Sequence, residues 1–76
     1  MTQENMLQIM GEAMLLGRKR NKWTQQECAD KIGISRTYYS DIENGKSFPS
    51  FEVVIKINDL FPFFLLSNDA DRKVVN

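Results

Sequence analysis

Two short helical segments with capping residues, joined by a short turn that contains glycine, constrain the fold of this chain more than any other feature. Thr24 precedes the first segment, and Glu27 follows at the spacing of a capping box, in which each residue bonds the backbone of the other. Gly33 ends the segment, since glycine adopts the positive φ of a helix C-cap without strain. The apolar residues between these caps share one helical face and are predicted to be buried: Cys28, Ala29 and Ile32.

A second helix is predicted after a turn of about three to four residues. Ser35 is its N-cap, the helix runs from Arg36 to about Asn44, and Gly45 takes the position after the C-cap. Two capped helices joined by a short turn that contains glycine are typical of a helix-turn-helix motif. The motif is therefore predicted at about residues 24–45.

This stretch resembles the phage-repressor and Cro type of helix-turn-helix family, also called Xre-like. The likeness rests on the pattern T-Q-Q-E-x-A-x-K-I-G-I-S-R-x-x-x-S-x-I-E-N-G-K, followed by Pro49 and Ser50, and it covers about residues 10–61. Within the family the chain is most like small controller proteins of restriction–modification systems and phage repressors. The resemblance implies an all-α, compact five-helix, lambda-repressor-like DNA-binding domain built around the helix-turn-helix.

Length and composition limit the chain to one small domain. We assign residues 1–66 to the helix-turn-helix domain and residues 67–76 to a polar C-terminal tail. A core this small is marginally stable, so self-association is expected. The N-terminus lacks the basic and apolar regions of a secretory signal, and no apolar run reaches the roughly 18 residues of a membrane span. We therefore expect a cytoplasmic protein with no membrane contact.

The charged and sulfur-containing residues argue against catalysis. The chain has 10 basic and 10 acidic residues, so DNA binding would need a localised basic edge. It has one cysteine and no histidine, and a single cysteine cannot build a disulfide framework or a zinc site. No nucleophile and base are paired at a recognisable spacing. We expect neither an enzyme nor a bound cofactor or metal.

The first helix is predicted at about residues 6–20, with a face rich in methionine. Leu15 points away from that face and Leu16 lies at its edge. Either the helix is slightly rotated or Leu15 meets a partner surface. Gly17 stands where the family usually has leucine. The residues assigned to the buried face are Met6, Ile9, Met10, Ala13, Met14 and Gly17.

The fourth helix carries two apolar stripes, one more than a small domain needs. Ser50 caps this helix, which is predicted to stop near Leu60 or Phe61 because Pro62 disfavours helix at the residue before it. Phe51, Val54, Ile55 and Phe61 are assigned to the core. The second stripe and a short fifth helix at residues 63–66 are the predicted homodimer interface: Val53, Ile57, Leu60, Phe63, Phe64, Leu65 and Leu66. The alternative is a core packed on both sides by an unusual tail.

The exposed face of the second motif helix is small and polar, as a helix entering a major groove requires. At about 100° per residue, Tyr39 and Ile42 point to the core and the polar residues point outward. Arg36 is the expected donor to guanine, Thr37 suits a thymine methyl, and Asp41 can accept from cytosine or repel phosphate. The predicted base contacts are Arg36, Thr37, Asp41 and Ser40.

Residues around this face are predicted to hold the DNA backbone or the domain itself. The resemblance gives Gln25 a phosphate contact, and it pairs Arg18 with Glu43 as an ion pair between the first and third helices. The alternative for that pair is a weak surface contact. Tyr38 either reaches a phosphate or covers the turn. The predicted phosphate contacts are Gln25, Tyr38, Asn44, Lys46, Ser47 and Lys22.

Taken together, these features predict a transcriptional regulator that binds a palindromic operator on double-stranded DNA as a homodimer. One domain of this size offers few base contacts, and a two-fold dimer doubles them. The alternative is an antitoxin-like or regulatory module that binds a protein partner through the apolar patch at Phe63–Leu66.

Overall fold

A computed structural model describes residues 3–61, with side chains from residue 5 onward. This part of the chain forms four helices and no strand: α1 (Gln3–Arg20), α2 (Gln25–Ile32), α3 (Arg36–Glu43) and α4 (Phe51–Leu60). The predicted helix-turn-helix is α2, its turn and α3. The predicted fifth helix at residues 63–66 and the polar tail lie outside the described residues. No helix between residues 3 and 61 has the length and apolar character that crossing a membrane requires.

The core lies between α1, α2, α3 and α4 and is almost entirely apolar. α3 packs on both α1 and α2, and α2 also packs on α4. Trp23, between α1 and α2, lies half-buried against this core, with its ring centroid 6.2 Å from that of Phe61. The buried hydrophobic side chains are Met10, Met14, Cys28, Ala29, Ile32, Tyr39, Ile42, Val53, Val54, Ile57 and Phe61.

α1 begins three residues earlier than predicted and presents a narrower buried face. Met10 and Met14 are fully buried, as predicted, and Leu15 and Leu16 are exposed. The assignment of Ile9 to the buried face is wrong, because its side chain is exposed. Ile9 lies one position before Met10, about 100° around the helix from the centre of the buried arc.

Two glycines of α1 allow other elements to approach closely. A Cβ at Gly11 would lie 2.2 Å from the carbonyl oxygen of Glu43, so the backbone of α1 meets the last turn of α3 here. A Cβ at Gly17 would lie 2.6 Å from Cδ1 of Phe61. The ring of Phe61 therefore occupies the space that a leucine at position 17 would fill, which accounts for the departure from the family pattern.

The prediction for α4 was correct for half of the residues assigned to the core, since Val54 and Phe61 are buried. Ile57 and Val53, assigned to a second, exposed stripe, are buried in the protein's own core, with Ile57 at 0% exposure. Phe51 and Ile55, assigned to the core, are exposed. Val53 and Ile57 therefore have almost no surface to offer a second copy, and their assignment to a homodimer interface is corrected. Leu60 is half-buried against the core.

Both stripes of α4 have the spacing of a buried helical face, so the pattern could not choose between them. The buried arc is centred on Ile57 because that side of α4 packs on α2. Its N-cap and its end were predicted correctly. Ser50 Oγ accepts from the backbone N–H of Val53 at 3.2 Å, and the helix ends at Leu60.

Candidate nucleic-acid interface

Local hydrogen bonds fix the start of α2 and the turn to α3. Thr24 Oγ1 accepts from the Glu27 backbone N–H at 3.0 Å, and the Thr24 N–H donates to Glu27 Oε1 at 2.7 Å, which completes the predicted capping box. Gly33 adopts φ 88°, and its N–H donates to the carbonyl of Ala29 at 2.7 Å. Ser35 Oγ accepts from the Tyr38 N–H at 3.0 Å and caps α3. The predicted motif is confirmed at each of these points.

α3 has one buried and one open side. Tyr39 and Ile42 are buried in the core, as predicted. Arg36 and Thr37, at the first turn of the helix, are exposed. Ser40 and Asp41, one turn later, are half-buried but lie on the same outer side. The structure therefore brings the four predicted base-contact residues to one accessible face, while their contacts with bases stay a prediction.

Glu43, at the end of α3, is the centre of a hydrogen-bond network inside the fold. Arg18 binds its carboxylate with two parallel bonds, Nε to Oε2 at 2.9 Å and Nη2 to Oε1 at 3.1 Å. Tyr39 donates its hydroxyl to Oε2 at 3.0 Å, and Gln25 donates its amide to Oε1 at 2.8 Å. The Glu43 side chain is only 4% exposed. The predicted pair is therefore the buried tie between α1 and α3, not a surface contact.

The network determines the charge state of its members. Burial by itself would raise the pKa of Glu43, but hydrogen bonds from Arg18, Gln25 and Tyr39 outweigh it, and the net pKa lies below its ordinary value. Burial raises the pKa of the Tyr39 hydroxyl far above its usual range, so it stays a donor. Glu43 is thus a carboxylate at neutral pH, with both oxygens fully engaged.

Gln25, the predicted phosphate ligand at the start of α2, has a role that sequence reasoning missed. Its side-chain amide nitrogen is held by Glu43, which lies 18 positions away along the chain. One amide hydrogen is used in this bond, and the second stays available to a phosphate oxygen. No sequence signal links the two residues, because the contact depends on how α2 and α3 pack.

Tyr38 also has an unpredicted partner. Its hydroxyl accepts a hydrogen bond from the backbone N–H of Ser50 at 3.3 Å, and its ring packs against the core. This bond joins the first turn of α3 to the N-cap residue of α4. The hydroxyl proton is still free to donate to a phosphate, so both interpretations of Tyr38 remain compatible with its position.

The loop after α3 is ordered by α3 itself. The backbone N–H groups of Lys46 and Ser47 donate to the carbonyl of Asp41 at 2.7 and 3.3 Å. Asn44 donates its amide to Ser40 Oγ at 3.2 Å. The Lys46 side chain is exposed, as a phosphate contact requires, and Ser47 is half-buried.

The basic stretch at the end of α1 divides into two parts. The Arg18 guanidinium bonds Glu43 and also the Trp23 carbonyl, to which its Nη1 donates at 3.1 Å. Lys22 is exposed and takes a left-handed backbone conformation, with φ 60°. Lys22 therefore lies on an exposed turn, whereas Arg18, in the same basic run, holds the fold together. Within the described part of the chain, no group of three or more metal-ligating side chains could hold an ion.

Known proteins share this sequence pattern. A helix-turn-helix family model, HTH_3, matches residues 16–62. The chain is 37% identical over 60 residues to the uncharacterized HTH-type transcriptional regulator YqaE of Bacillus subtilis (strain 168), over 75% of this chain and 52% of that protein. It is 48% identical over 40 residues to the ImmF control region 10 kDa protein of Bacillus phage phi105, over 53% of this chain and 44% of that protein.

A third relative is antitoxin HipB of Escherichia coli O6:H1 (strain CFT073), 42% identical over 48 residues, which are 63% of this chain and 51% of that protein. The chain thus spans about half the length of the curated relatives it matches. No solved structure matches it significantly. Since the family model covers more than half of the chain, the chain belongs to the Xre-like helix-turn-helix family of DNA-binding transcriptional regulators.

Proposed function

We propose that this protein binds a palindromic operator on double-stranded DNA as a homodimer and inserts α3 into the major groove of each half-site. The observation that carries the proposal is the outer side of α3. Arg36 and Thr37 are open at its N-terminal turn, while Tyr39 and Ile42 anchor its other side in the core. In this motif the N-terminal residues of the second helix contact base edges.

Residues on both sides of the exposed face of α3 support contacts with the DNA backbone. Gln25, held by Glu43, lies at the N-terminus of α2, where free backbone N–H groups favour an anion. Lys46 is exposed in the loop that follows α3. Contacts on two sides would fix the register of α3 in the groove without contributing base recognition. Asn44, Ser47, Tyr38 and Lys22 are the further proposed phosphate contacts.

Selection from random duplex DNA tests the proposal. The protein should enrich an inverted repeat whose half-site centres lie about 34–36 Å apart, or a multiple of one helical turn. Arg36→Ala should relax preference at one base position per half-site and weaken binding by about 1–3 kcal/mol per contact. Lys31→Ala is the matched control, because Lys31 lies over the Trp23 ring, 4.7 Å from its centroid, outside the proposed interface. Enrichment of no sequence, or equal effects of the two variants, would reject the proposal.

A second function has a specific observation in its favour, the similarity to antitoxin HipB. An antitoxin-like protein would use a protein partner and bind DNA secondarily. The segment proposed for that contact, Phe63–Leu66, lies outside the described residues. If Phe64→Asp abolishes the regulatory effect in cells while Arg36→Ala changes neither that effect nor DNA binding, the interaction function is the correct one.

A further inference from the structure

One side of α4 exposes large apolar groups next to a pair of opposite charges. Phe51 and Ile55 lie one turn apart and are 73% and 39% exposed. Glu52 and Lys56 occupy the adjacent flank, with Glu52 Oε2 and Lys56 Nζ 3.9 Å apart and both side chains exposed. We call these four residues the α4 outer face. An apolar pair with a charged rim has the composition of a protein contact.

We propose that the α4 outer face binds a second copy of this chain, with the two α4 helices antiparallel about a two-fold axis. The proposal builds on the homodimer of the proposed function and gives it a surface. In the proposed interface, Phe51 and Ile55, which are exposed, take the place of Val53 and Ile57, which are buried in the core.

The order of charges along α4 favours a second copy over an unrelated partner. A two-fold axis perpendicular to two antiparallel helices brings the same flank of each together, with the residue order reversed. Glu52 of one copy then faces Lys56 of the other, and the reverse pair forms on the same flank. A parallel arrangement would place this flank against the opposite one, where Val54 is buried in the core and Asn58 is half-buried. The antiparallel arrangement is therefore the one in which both charges gain opposite partners.

The face is also coupled to the proposed reading helix. Ser50 caps α4 through the Val53 N–H, and its own N–H donates to the hydroxyl of Tyr38 on α3. Phe51 follows Ser50 directly, so the start of the outer face has a fixed position relative to α3. Two copies joined here hold their α3 helices at a fixed separation, which recognition of a palindrome requires.

Charge-swap variants test the arrangement by sedimentation equilibrium of the full chain without DNA. The unmodified protein should show a concentration-dependent dimer. Glu52→Lys and Lys56→Glu should each raise the dimer dissociation constant about tenfold or more, because each creates two like-charge contacts. The double variant should recover association. An equimolar mixture of the two single variants should form heterodimers more readily than either forms homodimers.

An apolar-face variant and a matched control complete the test. Phe51→Glu should leave the protein monomeric but folded, since an acidic residue at the first position of a helix suits its dipole. Leu16→Glu replaces a comparably exposed residue of α1 and should leave the dimer intact. Circular dichroism melts confirm that each variant is folded.

Three results would overturn the proposal: an unmodified protein that is monomeric at every concentration, loss of the dimer in Leu16→Glu but not in Phe51→Glu, or no recovery in the double charge swap. A monomer that Phe51→Glu strongly destabilises would show that another part of the same chain covers the face, and it counts against the proposal too. Because no DNA is present, failure here leaves the Arg36 experiment as an independent test of the proposed function.

Discussion

Glu43 combines two tasks within a single side chain. It bonds Arg18 of α1 and Gln25 of α2 while belonging to α3, so three helices meet at one carboxylate. Removing one partner of a buried ion pair leaves an unpaired charge, whereas replacing both with neutral residues can be nearly neutral in energy. The network thus ties the fold together and, through Gln25, orients a proposed phosphate ligand.

Glu43→Gln should reduce the free energy of unfolding by about 3–5 kcal/mol at pH 7, because Arg18 is left without a counter-charge. Arg18→Met combined with Glu43→Gln should recover much of that loss. Urea melts of both variants provide the measurement. Equal losses in the single and double variants would show that the charge pairing is unimportant.

The same carboxylate predicts a pH dependence. The pKa of Glu43 is lowered in the folded protein, so the stability it contributes is fully present above the ordinary glutamate value of about 4.3. That contribution is lost as the pH falls below this value toward the lower folded pKa. The difference in unfolding free energy between the unmodified protein and Glu43→Gln should therefore shrink as the pH falls below about 4.3. A difference that is constant over this range would contradict the lowered pKa.

At the scale of elements, the position of α1 depends on two glycines. Gly11 faces the backbone of Glu43, which cannot move without displacing α3, whereas Gly17 faces the ring of Phe61, a side chain that can adjust. The two sites therefore differ in how well they tolerate a methyl group, although alanine gains about 1 kcal/mol of helix propensity at either.

Gly11→Ala should lower the free energy of unfolding more than Gly17→Ala does. For Gly17→Ala, overpacking should cost about 1–3 kcal/mol, and the higher helix propensity of alanine offsets part of that cost. Replacing the Phe61 ring with the smaller leucine side chain (Phe61→Leu) should restore part of the stability lost in Gly17→Ala and none of that lost in Gly11→Ala. Double-mutant cycles in chemical denaturation measure the coupling. Coupling of Phe61 to both glycines equally would refute this assignment of contacts.

At the scale of the whole molecule, the proposed DNA binding depends on where the cations lie, because the chain has no net charge. Lys46 and Lys22 are exposed near the proposed interface, and Arg18 is not available to DNA because Glu43 holds it. The number of neutralised phosphates is therefore expected to be small.

Affinity for the selected operator should fall linearly with the logarithm of salt concentration, with a slope of about −0.9 for each phosphate neutralised. Lys46→Gln should reduce the magnitude of the slope by about 0.9 per half-site, and Lys31→Gln should leave it unchanged. Fluorescence anisotropy across a salt series provides the measurement. An affinity that does not depend on salt would exclude anchoring on the DNA backbone.

The sequence by itself determined the local structure of this protein. Thr24, Ser35 and Ser50 were predicted as N-caps and Gly33 as a C-cap, because each acts through hydrogen bonds or dihedral angles within a few residues. The open side of α3 followed in the same way from its helical period. The pairing of Arg18 with Glu43 was predicted from the family resemblance.

Only the tertiary structure decided which residues of the two α4 stripes are buried, since both stripes had helical spacing and the choice depends on where α2 lies. It also revealed that Gln25 is held by Glu43 and that the Tyr38 hydroxyl bonds Ser50, the N-cap residue of α4. These contacts join residues 18 and 12 positions apart, so no local pattern encodes them. Packing between helices, which places distant residues in reach of one another, supplies the information that periodicity lacks.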